Sequence, residues 1–313
     1  MSQTYACVFC AGAEPARRFT SREMLYGTRA TFDYFECAAC ASLQIAAIPD
    51  DLARHYPGDY YSYDRKRTPF LKRARQAVRN WLMLFAPAPI NEIATGSKGD
   101  RVLLFLSYAG VSPSSRILDV GCGGGALLNG LARAGMKRLA GIDPFITGNF
   151  TTPEGVPVAK RSIREAEGEH DIIMFNHSLE HVPDPHGDLA AARAKLSANG
   201  CCMVRIPVAG SHTANAFGAD WYGLDPPRHL ALPTVAGMKA LAERAGFKVE
   251  RIEFDSNATQ FIGSELYRKG IALNERQPDH FTEEQLAKFK ADAAALNRAG
   301  NGDQAAFFLR PTP

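Results

Sequence analysis

One stretch limits the fold of this chain more than any other: Asp119-Val-Gly121-Cys122-Gly123-Gly-Gly125. It follows the apolar run Arg116-Ile-Leu118 and opens directly into Ala126-Leu-Leu-Asn-Gly-Leu131-Ala. The pattern is that of a short buried strand that ends in glycines, with a helix starting at once. Gly121, Gly123 and Gly125, alternating after an acid, let the main chain turn tightly and pass close to a ligand. The first N–H groups of the helix then point at that ligand. Asp143 stands just past a second apolar run, Arg138-Leu-Ala-Gly-Ile142, where a carboxylate can take both hydroxyls of a ribose. Together these residues predict a nucleoside-cofactor site.

The glycines alone leave two cofactors open. Gly121, Gly123 and Ala126 also satisfy the dinucleotide pattern G-x-G-x-x-A, and Asp143 lies about 20 residues on. A nicotinamide-dependent oxidoreductase is therefore one alternative. Asp119, placed immediately before the turn, argues against it, because a carboxylate there repels a pyrophosphate but meets the ammonium end of a methionine group. The segment Asp171-Ile-Ile-Met-Phe-Asn176-His177-Ser-Leu-Glu180-His181-Val-Pro-Asp-Pro185 follows at the distance of a fourth strand and its loop. It resembles the motif after strand four of class I methyltransferases, the ubiquinone-pathway O-methyltransferases among them. The resemblance implies S-adenosylmethionine as cofactor, held by Asp119, Gly121, Cys122, Gly123, Gly125, Asp143, Pro144, Asn176 and His177.

From Arg116 onward the chain alternates strand and helix, which predicts a parallel sheet covered on both faces. Strands are expected at 116–120, 138–142, 156–159, 171–175 and 200–206, and helices at 124–134, 188–197 and 234–245. Phe247–Phe254 reads as a sixth strand and Gln304–Leu309 as a seventh, antiparallel beside it. The expected fold class is α/β: a doubly wound, Rossmann-like, seven-stranded methyltransferase sheet with a small N-terminal zinc-ribbon-like domain. The methyltransferase domain would span 113–313, with an insertion at about 258–300 that carries a helix at 282–299. A length of 313 residues suits one large and one small domain.

The seven cysteines fall into two groups. Cys7, Cys10, Cys37 and Cys40 form two Cys-x-x-Cys pairs separated by 26 residues, whereas Cys122, Cys201 and Cys202 lie on or beside expected strands. Four thiolates from two knuckles suit tetrahedral zinc, and a unit of residues 1–45 is too small to hold together by apolar burial alone. A structural zinc is therefore expected there. The N-terminus shows no charged region followed by an apolar core, and no apolar run approaches the roughly 20 residues of a membrane span. The expected location is cytoplasmic.

Residues 46–112 read as a helical connector or lid. It begins with an aromatic, turn-rich stretch, Tyr56-Pro-Gly-Asp-Tyr60-Tyr61-Ser-Tyr63, and continues into a helix at about 69–85 that stops at Pro87-Ala-Pro89. Arg65, Lys66, Arg67, Lys72, Arg73, Arg75 and Arg79 precede Trp81-Leu-Met-Leu-Phe85. A basic, partly amphipathic segment at 65–85 can lie on the inner face of an anionic membrane, or be the solvated face of a helix packed on its own domain. A second helix is expected at about 99–108. The net charge of +3 is too small to imply a polyanionic partner, so nucleic acid is not expected.

In a doubly wound sheet the ligand crevice opens at the carboxyl ends of the strands. Methyl transfer asks the protein to align an acceptor and manage its proton, which a histidine near its ordinary pKa can do. His181 after strand four and His229 in Asp220-Trp221-Tyr222-Gly-Leu-Asp225-Pro-Pro-Arg228-His229 after strand five are the candidate bases. Glu180, Trp221, Tyr222 and Arg228 are the candidate acceptor-binding residues. Some ubiquinone-pathway enzymes bind a divalent ion near Glu-x-x-Glu-His; here His177 replaces the first acid. The chain as a whole resembles class I methyltransferases with an N-terminal zinc-binding domain, many of them associated with sugar and cell-surface polysaccharide modification. Deoxysugar C-methyltransferases similarly pair a zinc module with histidines after strands four and five, but are longer. The resemblance thus implies O-methylation of a sugar or cell-surface glycan precursor, with C-methylation of a nucleotide deoxysugar as the alternative. RNA methylation is a further one, although Asn176-His-Ser-Leu179 is not the Asn/Asp-Pro-Pro-aromatic loop that base-amino methylation needs.

Overall fold

The computed structural model describes residues 6–56, 70–96 and 101–313. Three strands open the chain: β1 (Pro15–Arg22), β2 (Thr31–Cys37) and β3 (Leu43–Ile45), each antiparallel to the next. Helices α1 (Phe70–Phe85), α2 (Ile90–Thr95) and α3 (Val102–Tyr108) follow. Tyr60 to Arg67 of the connector lie outside the described residues. The expected stop at Pro87 holds, but the chain re-enters a helix at Ile90 that the proline pair had hidden.

The alternating part then runs β4 (Arg116–Val120), α4 (Ala126–Arg133), β5 (Arg138–Ile142), β6 (Phe150–Thr151), β7 (Pro157–Ala159), β8 (His170–Asn176), α5 (Pro185–Ala194) and β9 (Leu196–Pro207). After it come α6 (His212–Phe217), β10 (Ala231–Leu232), α7 (Val235–Arg244), β11 (Phe247–Phe254), α8 (Thr259–Arg268), α9 (Glu283–Arg298) and β12 (Gln304–Pro311). The main sheet has the order β11-β12-β9-β8-β4-β5-β7-β6. Strands β7, β5, β4, β8 and β9 are parallel, and β12 is antiparallel to both neighbours. The seven expected strands are all present, and the two-residue β6 adds an eighth at the edge.

Burial on both faces explains why β8 reads as an unbroken apolar run rather than an alternation. Ile172 and Met174 pack on one side with Phe105, Leu106, Leu128 and Leu131. Ile173 and Phe175 pack on the other with Leu189, Met238 and Leu241. Helix α5 starts three residues before its expected position because Asp184 caps it, accepting from Gly187 N at 2.9 Å. The insertion holds α9 as expected, entered through a Thr282–Gln285 capping box, but also α8, which had no sequence signal.

The N-terminal unit does not stop at residue 45. Its sheet has the order β1-β2-β3-β10, so a strand from the later part of the chain completes it. Arg244 Nη1 donates to Val8 O and Phe9 O, and Thr234 Oγ1 donates to Cys40 O at 2.6 Å. No helix of the described residues is long and apolar enough to cross a membrane.

Candidate active site

The glycine turn leaves β4 with Gly121 at φ +75°, a conformation that favours glycine, and a Cβ added there would collide with Ser178. Gly125, also in the left-handed region, caps α4, and a Cβ on it would stand 2.6 Å from Thr152 Cγ2. The turn is tied to Asp143 at the end of β5. Gly123 N donates to Asp143 Oδ2 at 3.0 Å and Phe145 N to Oδ1 at 2.8 Å. Each carboxylate oxygen keeps a lone pair for a ligand hydroxyl. Burial raises Asp143, and those two backbone donors pull against it. Asp143, Pro144, Phe145, Ser162, Ile163 and Val182 line a narrow cavity of about 90 Å³, suited to a flat base.

Asp119 supplies the sharper test of the cofactor. It is buried and, among the described residues, has no hydrogen-bond or ion-pair partner. Burial first, and the neighbouring Asp143 second, push its carboxyl up to about 7. An unpaired buried carboxylate is costly unless a cation joins it. Asp119 lines a cavity of about 520 Å³ with Gly121, Cys122, Asn176 and His177, closed from the connector by Arg79, Asn80 and Met83 of α1. The ammonium of S-adenosylmethionine would supply the missing counter-charge, so the residues fit that cofactor. Asn176 is fixed by Arg205, whose Nη1 donates to its Oδ1 at 3.1 Å while Nε donates to Asp255 at 2.9 Å.

His177 is where three cavities meet, the two above and a third of about 250 Å³ lined by His181, Tyr222, Asp225 and His229. It takes the left-handed conformation at φ +53°, its N–H donating to Arg205 O at 2.9 Å. Its Nδ1 lies 3.4 Å from Glu180 Oε1. His181 and His229 face each other edge to face with ring centroids 4.8 Å apart. His181 Nδ1 is 2.8 Å from Arg228 O, and His229 Nδ1 is 2.8 Å from Gly223 O. A carbonyl oxygen can only accept, so both Nδ1 atoms carry the proton and both Nε2 atoms keep a lone pair for the site. Tyr56, from the connector, places its hydroxyl 3.0 Å from His181 Nδ1 and its ring against Phe145. Tyr56 was not among the expected site residues; its only sequence signal is membership of the aromatic run.

Glu180 is fully buried beneath these rings, and neither carboxylate oxygen has a hydrogen-bond donor of good geometry among the described residues. Burial raises it, but the close approach of His177 and the fields of the imidazoles outweigh that and bring it down to about 2. Burial, and then His229 beside it, pushes His181 down to about 4, so it is neutral at pH 7. Ligand atoms of Glu180, His181 and His229 all lie within 4.8 Å of one another, a set that could also gather a divalent cation.

Of the expected acceptor-binding residues, only Tyr222 lines the third cavity. Glu180, Trp221 and Arg228 are buried, and the last two spend their polar atoms inside the fold. Trp221 Nε1 donates to Asp303 Oδ2 at 2.8 Å. Arg228 is held by Asp225 at 2.5 Å and by Glu23, from the loop after β1, at 2.8 Å. The rest of the third cavity is lined by residues that periodicity does not mark, Ser256, Asn257, Thr259, Gln260, Asp303 and Gln304.

The N-terminal unit meets this site directly. Tyr34 Oη donates to His229 O at 2.8 Å, Ile45 N donates to Leu230 O at 2.8 Å, and Leu230 N donates to Glu180 O at 2.7 Å. Its own four thiols gather within 4.8 Å, with Cys7 Sγ 3.6 Å from Cys40 Sγ and Cys10 Sγ 3.5 Å from Cys37 Sγ. Zinc–sulfur bonds of about 2.3 Å in a tetrahedron put sulfurs roughly 3.8 Å apart. Both knuckles end in a left-handed alanine, Ala11 and Ala41, whose N–H groups donate to Cys7 O and Cys37 O at 2.9 Å. The donor set fits zinc.

Comparison with known proteins identifies the family. A family model described as a methyltransferase domain matches residues 70–252. A ubiquinone biosynthesis O-methyltransferase of Bordetella avium is 33% identical over 106 residues, which are 29% of this chain and 42% of that protein. One of Hahella chejuensis is 39% identical over 98 residues, 28% of this chain and 41% of that protein. The chain thus spans about two-fifths of the length of the curated relatives it matches. Among solved structures, a cyclopropane synthase from Mycobacterium tuberculosis aligns with TM-score 0.44 and 18% identity over 77% of this chain and 98% of that one. Magnesium protoporphyrin IX methyltransferase from Synechocystis, with bound SAH, aligns with TM-score 0.42 and 15% identity over 66% of this chain and 90% of that one. With the family model matching more than half of its length, the chain belongs to the methyltransferase-domain family, as a class I, S-adenosylmethionine-dependent member.

Proposed function

We propose that the protein transfers a methyl group from S-adenosylmethionine to a hydroxyl oxygen of a polar, sugar-like acceptor, with a structural zinc in the four-cysteine unit. The observation that carries this reading is the third cavity. Its walls join three histidines to a run of hydrogen-bonding side chains, Asp225, Ser256, Asn257, Thr259, Gln260, Asp303 and Gln304, which suits a polyhydroxylated molecule. Gln260 Nε2 is buried there with no partner among the described residues, a donor available to a ligand oxygen. When bound, the cofactor supplies an activated methyl group and a neutral leaving group. The protein's part is to align the acceptor hydroxyl and take its proton.

His229 is the base this arrangement favours. Its Nε2 carries the free lone pair and lies between Glu180 Oε1 at 4.0 Å and Asp225 Oδ2 at 3.9 Å, so charge gained on taking a proton is met by opposite charge. His181 is held neutral and anchored by Arg228 O and Tyr56, and serves to position the acceptor. The names of the relatives favour oxygen as the acceptor atom; the cavity lining favours a sugar over a quinol.

Labelled S-adenosylmethionine offered with nucleotide sugars, lipid-linked glycans, catechols and RNA tests the reading. A methyl ether on a sugar hydroxyl is the expected product. A methylated catechol, a carbon-methylated sugar or methylated RNA would contradict it. With the four-cysteine zinc still bound, turnover independent of added magnesium or manganese supports the base, whereas turnover that requires either ion assigns Glu180, His181 and His229 to a metal instead.

A further inference from the structure

Six large apolar side chains stand exposed among the described residues, and four of them share the hairpin of α1 and α2: Val78 (64%), Trp81 (49%), Ile90 (48%) and Ile93 (75%). The other side of α1 is committed to the fold. Met83 and Leu84 are buried, and Asn80 Nδ2 donates to Gly130 O at 2.9 Å. Arg79 donates to Ala94 O at 3.0 Å and Thr95 O at 2.9 Å, so the two helices present one joint surface. The outer side of a helix hairpin is ordinarily polar, and clustered branched and aromatic side chains there mark an interaction surface.

Charge identifies the partner. Residues 65–79 contain seven Lys and Arg and no Asp or Glu, and the next acid is Glu92. Since the whole chain has a net charge of +3, everything outside this segment is net acidic. Arg65, Lys66, Arg67 and the side chain of Lys72 lie outside the described residues and enter only as sequence charge; Arg73 pairs with Glu154 at 2.6 Å, and Arg75 is exposed. A two-fold pairing of this surface with itself in a second copy would set these cations against their own kind. A nucleic-acid backbone would use the cations and leave Val78, Ile90 and Ile93 without a role.

We propose that the α1–α2 hairpin docks on an anionic lipid surface, with Val78, Trp81, Ile90 and Ile93 entering the headgroup boundary and Arg75 meeting lipid phosphates. Arg79, Asn80 and Met83 of the same helix line the cavity of Asp119, so docking brings the cofactor crevice to the membrane. Resting on the proposed function, this narrows the acceptor to a glycan carried on a lipid.

The test uses the full chain with vesicles of phosphatidylglycerol mixed into phosphatidylcholine, and of phosphatidylcholine alone. Of the two tryptophans, Trp221 is buried, so a change in emission reports Trp81. The expected result is co-sedimentation with the anionic vesicles only, with a blue shift in emission. Salt at about 0.5 M, where screening is short-ranged, should weaken binding. Val78→Ser/Ile93→Ser should weaken it about tenfold or more while S-adenosylhomocysteine affinity stays unchanged. Wild-type protein that ignores both vesicle types, or shows no blue shift when bound, would overturn the proposal without a variant. So would equal binding by the folded double variant, preferred binding to RNA, or self-association that the variant abolishes. Loss of S-adenosylhomocysteine binding by the wild type would sink the functional reading and leave the docking result standing.

Discussion

At the scale of single residues, burial shifts Asp119 and His181 in opposite directions, and each shift makes a prediction. Asp119 has its carboxyl raised to about 7 with no partner among the described residues. A raised carboxylate contributes stability below its unfolded value and loses it as pH climbs through the folded value. Cofactor-free protein should therefore lose stability between about pH 4 and 7, by on the order of 4 kcal/mol for a shift of that size. Asp119→Asn should flatten this window in thermal melts and weaken S-adenosylmethionine binding more than tenfold by calorimetry. Unchanged affinity would show that the ammonium does not sit there. His181 shifts the opposite way, to about 4. Its contribution is present above the ordinary histidine value near 6.5 and is lost as pH falls toward 4, again a few kcal/mol at most. Melts of His181→Asn should lose less stability than wild type between pH 6.5 and 4; parallel curves would mean that the ring is not buried neutral.

At the scale of elements, the site is assembled from both ends of the chain. The loop after β1 sends Glu23 to Arg228, whose carbonyl orients His181, while β2 sends Tyr34 to the carbonyl of His229. Breaking a buried ion pair by removing one partner costs about 3–5 kcal/mol. Glu23→Gln should lower kcat much more than it weakens S-adenosylmethionine binding, because none of the hydrogen-bond partners of Glu23 belongs to the glycine turn; Glu23→Asp should restore part of the rate. Equal losses in both would mean global damage instead. The same contacts tie the four-cysteine unit to the site. Metal analysis should find one zinc per chain, and Cys10→Ser should release it and slow transfer. A metal-free preparation with full turnover would separate the unit from the site.

For the whole molecule, the sheet was legible because five parallel strands buried on both faces leave long apolar runs between glycines. The glycine turn was legible for a related reason, since a turn at positive φ selects glycine. The third cavity was not. Asn257, Thr259, Gln260 and Gln304 are ordinary polar residues that meet only because of where α8 and β12 bring them. Trp221 and Arg228 look like ligand residues in sequence but spend their polar atoms on Asp303, Asp225 and Glu23. The joining of β10 to the N-terminal sheet likewise depends on a two-residue pairing that no periodicity announces. The central claim, proton removal by His229 during S-adenosylmethionine-dependent transfer, is tested most directly by single-turnover transfer of a labelled methyl group at saturating cofactor. His229→Asn should slow that step about 10²–10⁴-fold with cofactor affinity unchanged; a rate equal to that of the wild type would contradict the account.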